Sequence, residues 1–158
     1  MNESRELAKF VADLKYEDLP KKVIEKTKDL VLDQLGVELA SSTKPWSKAV
    51  YRDALDAGGK HDSSIVNYGD KLPVLSAAFV NGSFGHGFEI DDMYRPSLSH
   101  PACVIVPAAM AMGERELISG KQFILAVVAG YEIMGRVGAA AAPSINALGH
   151  HPTSSTGP

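Results

Sequence analysis

The sequence predicts an all-α domain, and three observations carry that expectation. Apolar residues recur at three- and four-residue spacing through about six segments. A single stretch, Ser64-Ile65-Val66-Asn67-Tyr68, has the β-branched and aromatic character of a strand. The other apolar runs are rich in alanine and glycine, residues that sheets disfavour and closely packed helices accommodate.

From the N-terminus, Glu3 to Leu14 places Leu7, Phe10, Val11 and Leu14 at the spacing of a short amphipathic helix. Tyr16-Glu17-Asp18-Leu19-Pro20 reads as a turn, with Asp18 able to accept from the next helix's first amides and Pro20 suited to its first turn. That helix spans about Pro20 to Ser41, with Val23, Thr27, Leu30, Val31 and Leu35 along one side. Its second half, from Leu35 onward, is expected to lie deeper in the core. Trp46 to Ala57 forms a further helix, ended by Gly58-Gly59. The Ser64–Tyr68 strand is short and isolated.

Pro73 to about Phe88 is small and apolar, with Gly82, Gly85 and Gly87 interspersed. Pro101 to Glu114 reads as a buried helix in which Pro107 marks a kink or a restart. Ser119 and Gln122 match a capping box, opening a helix to about Ala142 that Pro143 stops. Ser144 to Pro158 reads as a loop rich in Gly, Pro, Ser and Thr, leading toward a further helix.

Bulk properties narrow the function classes. The 158 residues fit one domain, with 45% hydrophobic and 22% charged residues, the proportions of a globular chain. A net charge of -3 supplies no basic face for nucleic acid and no cluster for anionic membranes. Cys103 is the only cysteine, so neither an intramolecular disulfide nor a cysteine-based zinc site can form. Met1 to Leu14 is charged and lacks the apolar run of a signal peptide. Ala102 to Met112, read as the longest apolar stretch, falls short of the roughly 20 residues a bilayer requires. A cytoplasmic protein without membrane partners is the expectation.

The densest polar cluster is Glu89-Ile90-Asp91-Asp92-Met93-Tyr94-Arg95-Pro96-Ser97-Leu98-Ser99-His100-Pro101, between two alanine-rich helices. Charge at such a junction must be solvated, paired or used, because an unpaired buried carboxylate is costly. His86, Glu89, Asp92 and Met93 share a face if the preceding helix runs that far. A carboxylate beside an imidazole makes a proton-transfer pair. Structural roles stand beside this reading. Asp91-Asp92 can cap a helix or face water, His100 can belong to the cap region of the next helix, and His150-His151 can be an exposed pair. His61 reads as a surface residue and Cys103 as a small buried one. Ser154 and Ser155 lie in no G-x-S-x-G elbow, and Gly82-Ser83-Phe84-Gly85-His86-Gly87 lacks the spacing of a phosphate loop.

Several of these segments resemble the MmgE/PrpD family. The matching motifs are Leu32-Asp33-Gln34-Leu35-Gly36-Val37, Ala78-Phe79-Val80-Asn81-Gly82, His86-Gly87-Phe88-Glu89-Ile90-Asp91-Asp92, Arg95-Pro96-Ser97-Leu98-Ser99-His100-Pro101, Ala129-Gly130-Tyr131-Glu132 and Gly149-His150-His151-Pro152-Thr153. They cover essentially the whole chain in order. The family includes 2-methylcitrate dehydratase, cis-aconitate decarboxylase and iminodisuccinate epimerase. Its fold is a large helical domain, built from the N-terminal part and the extreme C-terminus, with an α+β domain inserted between. The resemblance implies that residues 1–158 are the N-terminal portion of that helical domain, a fragment lacking the α+β domain and the C-terminal helices. It further implies that basic residues and a tyrosine completing the pocket come from later segments, and that full-length members are homodimers.

For the site, the resemblance places the family's two His-Pro histidines at His100 and His151. An active-site aspartate of cis-aconitate decarboxylase falls at Glu89, and a threonine at Met93. Glu89 keeps the charge with a longer reach, whereas Met93 removes a hydroxyl donor and counts against cis-aconitate decarboxylation. A 2-methylcitrate dehydratase, acting in propionate metabolism, or an epimerase is expected instead. In that expectation His100 and His151 are base and acid in an unassigned order. Glu89, Asp91 and Asp92 orient the imidazoles or the substrate, and Arg95 clamps a carboxylate of a small polycarboxylate. No cofactor and no metal are expected. An epimerase or isomerase on a related diacid shares the proton-abstraction step. Two readings of other classes are a metal-dependent hydrolase, with His86, Glu89, Asp91, Asp92 and His100 as ligands, and a non-catalytic helical remnant, inactive and poorly soluble alone.

Overall fold

The computed structural model describes residues 2–157, so Met1 and Pro158, the ends of the expected domain, lie outside the described residues. The chain is mainly helical. Its elements are α1 (Glu3–Asp13), α2 (Lys21–Ser41), α3 (Pro45–Ala57), β1 (Ser63–Ser64), β2 (Lys71–Leu72), α4 (Val74–His86), α5 (Ala102–Glu116), α6 (Gly120–Ala141), α7 (Ser144–Ala147) and α8 (Pro152–Thr156). The five long helices after α1 begin and end close to where apolar spacing placed them. Ser119 accepts from the Gln122 amide while the Gln122 side chain bonds back to the Ser119 amide, the capping box expected at the start of α6.

Four expectations are corrected. Asp18 does not cap α2: it ends a short 3-10 turn, Tyr16–Asp18, and Pro20 holds the cap position without a side-chain bond. The expected Ser64–Tyr68 strand is only its first residue. β1 pairs antiparallel with β2, and the chain between them turns through Asn67 and Gly69, both at positive φ. Asn81 of α4 explains the short ladder, because it accepts from the Val66 amide and donates to the Ser64 carbonyl, replacing a sheet partner. The tail beyond Pro143 is not plain loop but carries α7 and α8. Finally, the longest apolar segment is α6 rather than Ala102–Met112. By length and composition alone α6 could cross a membrane, a test that core helices also pass. Here it packs against α2, α5 and α8 and carries the Glu132–Arg136 ion pair on its exposed side.

α4 and α5 form the most extensive helix pair, and their contact depends on one glycine and one proline. α5 runs unbroken through Pro107, which has no amide to offer the Cys103 carbonyl one turn earlier. Gly82 of α4 sits against that freed oxygen, where a Cβ would come within 2.8 Å of it. Only glycine allows the two backbones this close. On the other side of α4, Ile65, Leu72, Val74, Ala77, Val80, Phe84 and Ala111 make one apolar cluster. Ala102, Val106 and Val127 join α5 to α6 in a second.

The deep part of α2 is polar rather than apolar. Gln34, Glu38 and Ser41 are wholly buried along one face, with the Gln34 amide donating to the Glu38 carboxyl at 3.0 Å. Burial pushes the Glu38 carboxyl up to about 7, against the opposing pull of that hydrogen bond. The folded chain therefore holds a proton on Glu38 that the unfolded chain has released. Stability should fall as pH rises from about 4.5 through 7, by roughly 3 kcal/mol if the carboxyl accounts for it alone. Glu38→Gln should remove this slope, making the variant the more stable of the two at pH 8 and nearly equal at pH 4. Denaturant unfolding of both proteins across that range measures it.

Candidate active site

The site lies where α4 ends. Its helix stops at His86, so His86, Glu89, Asp92 and Met93 do not share a helical face as the spacing had suggested. The chain turns at once, Glu89 adopting a positive φ of 50°, and returns to α5 through a turn closed by a Tyr94–Ser99 bridge. This reversal brings Asp91 back beneath His86 and leaves His100 immediately before α5. From the far end of the chain, His151 sits at the N-terminus of α8. The hydroxyl of Thr153, in the first turn of α8, accepts from the His100 amide at 2.9 Å and ties the two histidine-bearing segments together.

Three imidazoles cluster here, His86 tilted against the other two and His100 roughly parallel to His151. The His86 ring centroid lies 4.7 Å from that of His100 and 5.6 Å from that of His151, and His100 and His151 are 6.2 Å apart. Asp91, whose side chain has no exposed surface, stands 3.1 Å from His86 Nδ1 and 3.4 Å from His100 Nδ1. The contact with His86 has hydrogen-bond alignment; that with His100 is within ion-pair reach but lacks it, leaving His100 Nδ1 buried and unbonded. Hydrogen bonding to Asp91 raises the His86 pKa, with burial opposing and the charges of Asp91, Glu89 and Asp92 assisting. Burial alone would raise the Asp91 carboxyl, but His86 and His100 together hold it below the usual carboxylate range. Asp91 therefore favours the protonated form of His86, with the His100 and His151 rings beside it.

The other sequence-derived candidates separate into distinct roles. Glu89 is exposed, and its carboxylate falls in one group with His86 and His151. Asp92 commits both oxygens to the scaffold: one accepts from the Ala102 amide at 2.9 Å, capping α5, and the other from the Tyr131 hydroxyl at 3.0 Å. Burial raises its pKa and outweighs those two bonds. The helix-capping alternative thus describes Asp92, whereas Asp91 is the partner of the imidazoles. Arg95 is on the exposed turn and forms no ion pair among the described residues. Cys103 is buried, its thiol donating to the His100 carbonyl and pushed up by burial and by Asp91. His150 and His61 are exposed.

Sequence reasoning missed the roles of Tyr131 and Thr153, and, though it grouped His86 with carboxylates, it did not identify Asp91 as its partner. Each lay within a recognised motif, but an i, i+5 pair across a helix end and a partner 39 or 53 residues away have no periodic signature. Beside the imidazoles lies an open groove of about 560 Å³, lined by Phe79, Gly82, Ser83, His86, Val104 and His151 among others. Met93 is 56% exposed and is not part of that lining, which weakens the argument that its thioether selects between substrates.

These features define a helical domain with a cluster of three imidazoles around one carboxylate at the junction of two packed helices. Residues 5–158 match the MmgE/PrpD N-terminal domain, and the chain belongs to that family. The cis-aconitate decarboxylase-like protein oryM of Aspergillus oryzae is 33% identical over 146 residues, covering 88% of this chain and 30% of that protein. Cis-aconitate decarboxylase of Aspergillus terreus is 29% identical over 140 residues, 85% of this chain and 29% of the relative. The Homo sapiens cis-aconitate decarboxylase is 29% identical over 135 residues, 82% and 28% respectively. The chain thus spans less than a third of the length of the curated relatives it matches.

Asp91→Asn removes the charge that holds the proton on His86, so the His86 titration midpoint should fall, as read by NMR of the imidazole protons. In the wild-type chain the raised His86 contributes stability that is lost as pH rises through its folded value. The depressed Asp91 contributes stability that is lost as pH falls through its own. The stability deficit of the variant, about 1–3 kcal/mol, should therefore be greatest between the ordinary aspartate and histidine values, roughly pH 4 to 6.5. An unchanged His86 midpoint would show that Asp91 is not its partner.

Proposed function

We propose that this chain supplies the histidine-bearing half of the active site of an acid–base lyase acting on a small polycarboxylate. Loss of carbon dioxide from a cis-aconitate-like tricarboxylate is favoured over loss of water. The observation that carries the reading is the buried Asp91 between His86 and His100, with His151 completing the cluster. The curated relatives, which are named as cis-aconitate decarboxylases or decarboxylase-like, support the decarboxylase over the 2-methylcitrate dehydratase expected from Glu89 and Met93.

Decarboxylation of an acid whose carboxylate is one carbon removed from a double bond leaves an allylic carbanion. A neighbouring carboxylate delocalises that charge, and a proton delivered at the far allylic carbon completes the reaction. What the protein must supply is one positioned imidazolium and a means of refilling it. His86, kept protonated by Asp91, is the store, and His100 and His151 are the groups that exchange protons with substrate. Asp92 acts at a distance by fixing the start of α5, and hence His100. Dehydration of a hydroxylated tricarboxylate would use the same imidazoles as base and acid, and is the second reading because Glu89 replaces the decarboxylase aspartate with a longer carboxylate.

The test is an assay of the complete gene product with cis-aconitate and with 2-methylcitrate, following carbon dioxide release and the product by NMR. Carbon dioxide release from cis-aconitate is the expected outcome. Water loss from 2-methylcitrate without carbon dioxide release would overturn the decarboxylase in favour of the dehydratase. With the active substrate, His100→Ala and His151→Ala should each lower turnover by about 10²–10⁴-fold. Near-wild-type rates from both variants would sink the site assignment.

A further inference from the structure

Three side chains at this end of the molecule suit a metal ion. His86, Glu89 and His151 each offer one ligand atom, and these atoms lie within 4.8 Å of one another. Ligands bound to one zinc-sized ion at about 2.0–2.2 Å stand some 3–4 Å apart, so a small inward movement closes the set. Glu89 and His151 are exposed, and His151 already lies beside the His86 ring. His86 and His151 both line the open groove, which gives the ion a path.

We propose that His86, Glu89 and His151 form a binding site for a divalent transition ion of the zinc type. Two imidazoles and one carboxylate, without a thiolate, are donors that select borderline ions over magnesium or calcium, and three protein ligands leave a coordination position open. A second observation points the same way. Asp91 engages His86 Nδ1 at 3.1 Å, the carboxylate–imidazole contact that orients a metal-binding histidine and leaves Nε2 to ligate. A second cluster, His86, Asp91 and Cys103, is a poorer candidate. Asp91 has no exposed surface, and the buried Cys103 thiol is already donating to the His100 carbonyl. The functional consequence rests on the lyase reading: an ion held here takes two of the three imidazoles out of proton exchange and obstructs the groove, so occupancy switches the site off.

Cobalt(II) titration of the chain, followed by visible d–d absorption, tests the site without turnover. The expected result is a saturable one-to-one signal of four- or five-coordinate cobalt, displaced by zinc(II). His151→Ala and Glu89→Gln should each weaken it by more than about tenfold. His61→Ala and His150→Ala, which alter exposed histidines outside the set, should leave it unchanged. Far-UV circular dichroism confirms folding of each variant, and the two site variants alter exposed side chains. Absence of a saturable signal, or its loss in His61→Ala or His150→Ala with retention in His151→Ala, would overturn the proposal. Failure of this experiment would leave the lyase reading standing, and an inactive gene product would leave ion binding standing.

Discussion

A single carboxylate removed from solvent, that of Asp91, organises the functional end of this molecule. Burying an ionised group is expensive unless opposite charge and hydrogen bonds accompany it into the interior. Asp91 obtains that compensation from His86 and, less well aligned, from His100. Because the carboxylate favours a cationic partner, the His86 pKa is raised, and the His100 and His151 imidazoles pack beside it. In the proposed lyase, the stabilising contact and the chemical one are the same contact.

Placing this pair requires backbone geometry that side chains alone could not impose. α4 must end at His86, the chain must reverse at Glu89, and α5 must start where His100 meets α8. Asp92 secures the start of α5 by accepting from Ala102 and ties it to α6 through Tyr131. Thr153 secures α8 through the His100 amide. Beneath them, the Gly82–Pro107 contact lets α4 and α5 approach closely enough for both helix ends to converge. The adjacent aspartates thus divide the labour, one pairing with the imidazoles and the other holding the scaffold.

Much of this was legible in residue order. Helical spacing located α2 to α6 within a residue or two, because each helix buries one side and the apolar stripe records it. The Ser119–Gln122 cap was readable because its partners are three residues apart. The strand at Ser64–Tyr68 misled, since β-branched residues mark burial as well as sheet pairing, and Ile65 is buried under a turn rather than within a ladder. The second half of α2 does lie deeper, as its apolar run suggested, but much of what it buries is polar. Gln34 and Glu38 lie outside the Val23–Leu35 apolar side and are wholly buried, Gln34 meeting α4 at Gly85.

The local sequence by itself determined the helical class, the extent of most helices and the short list of residues able to move protons. Those properties depend on contacts within a few residues of each other, which linear spacing encodes. Which aspartate faces the imidazoles, which one caps a helix, and that His86 joins the distant His100 and His151 were decided only by tertiary structure. A helix end that reverses the chain, and contacts spanning some fifty residues, erase the register that spacing arguments rely on, so adjacent identical residues such as Asp91 and Asp92 can point to different tasks.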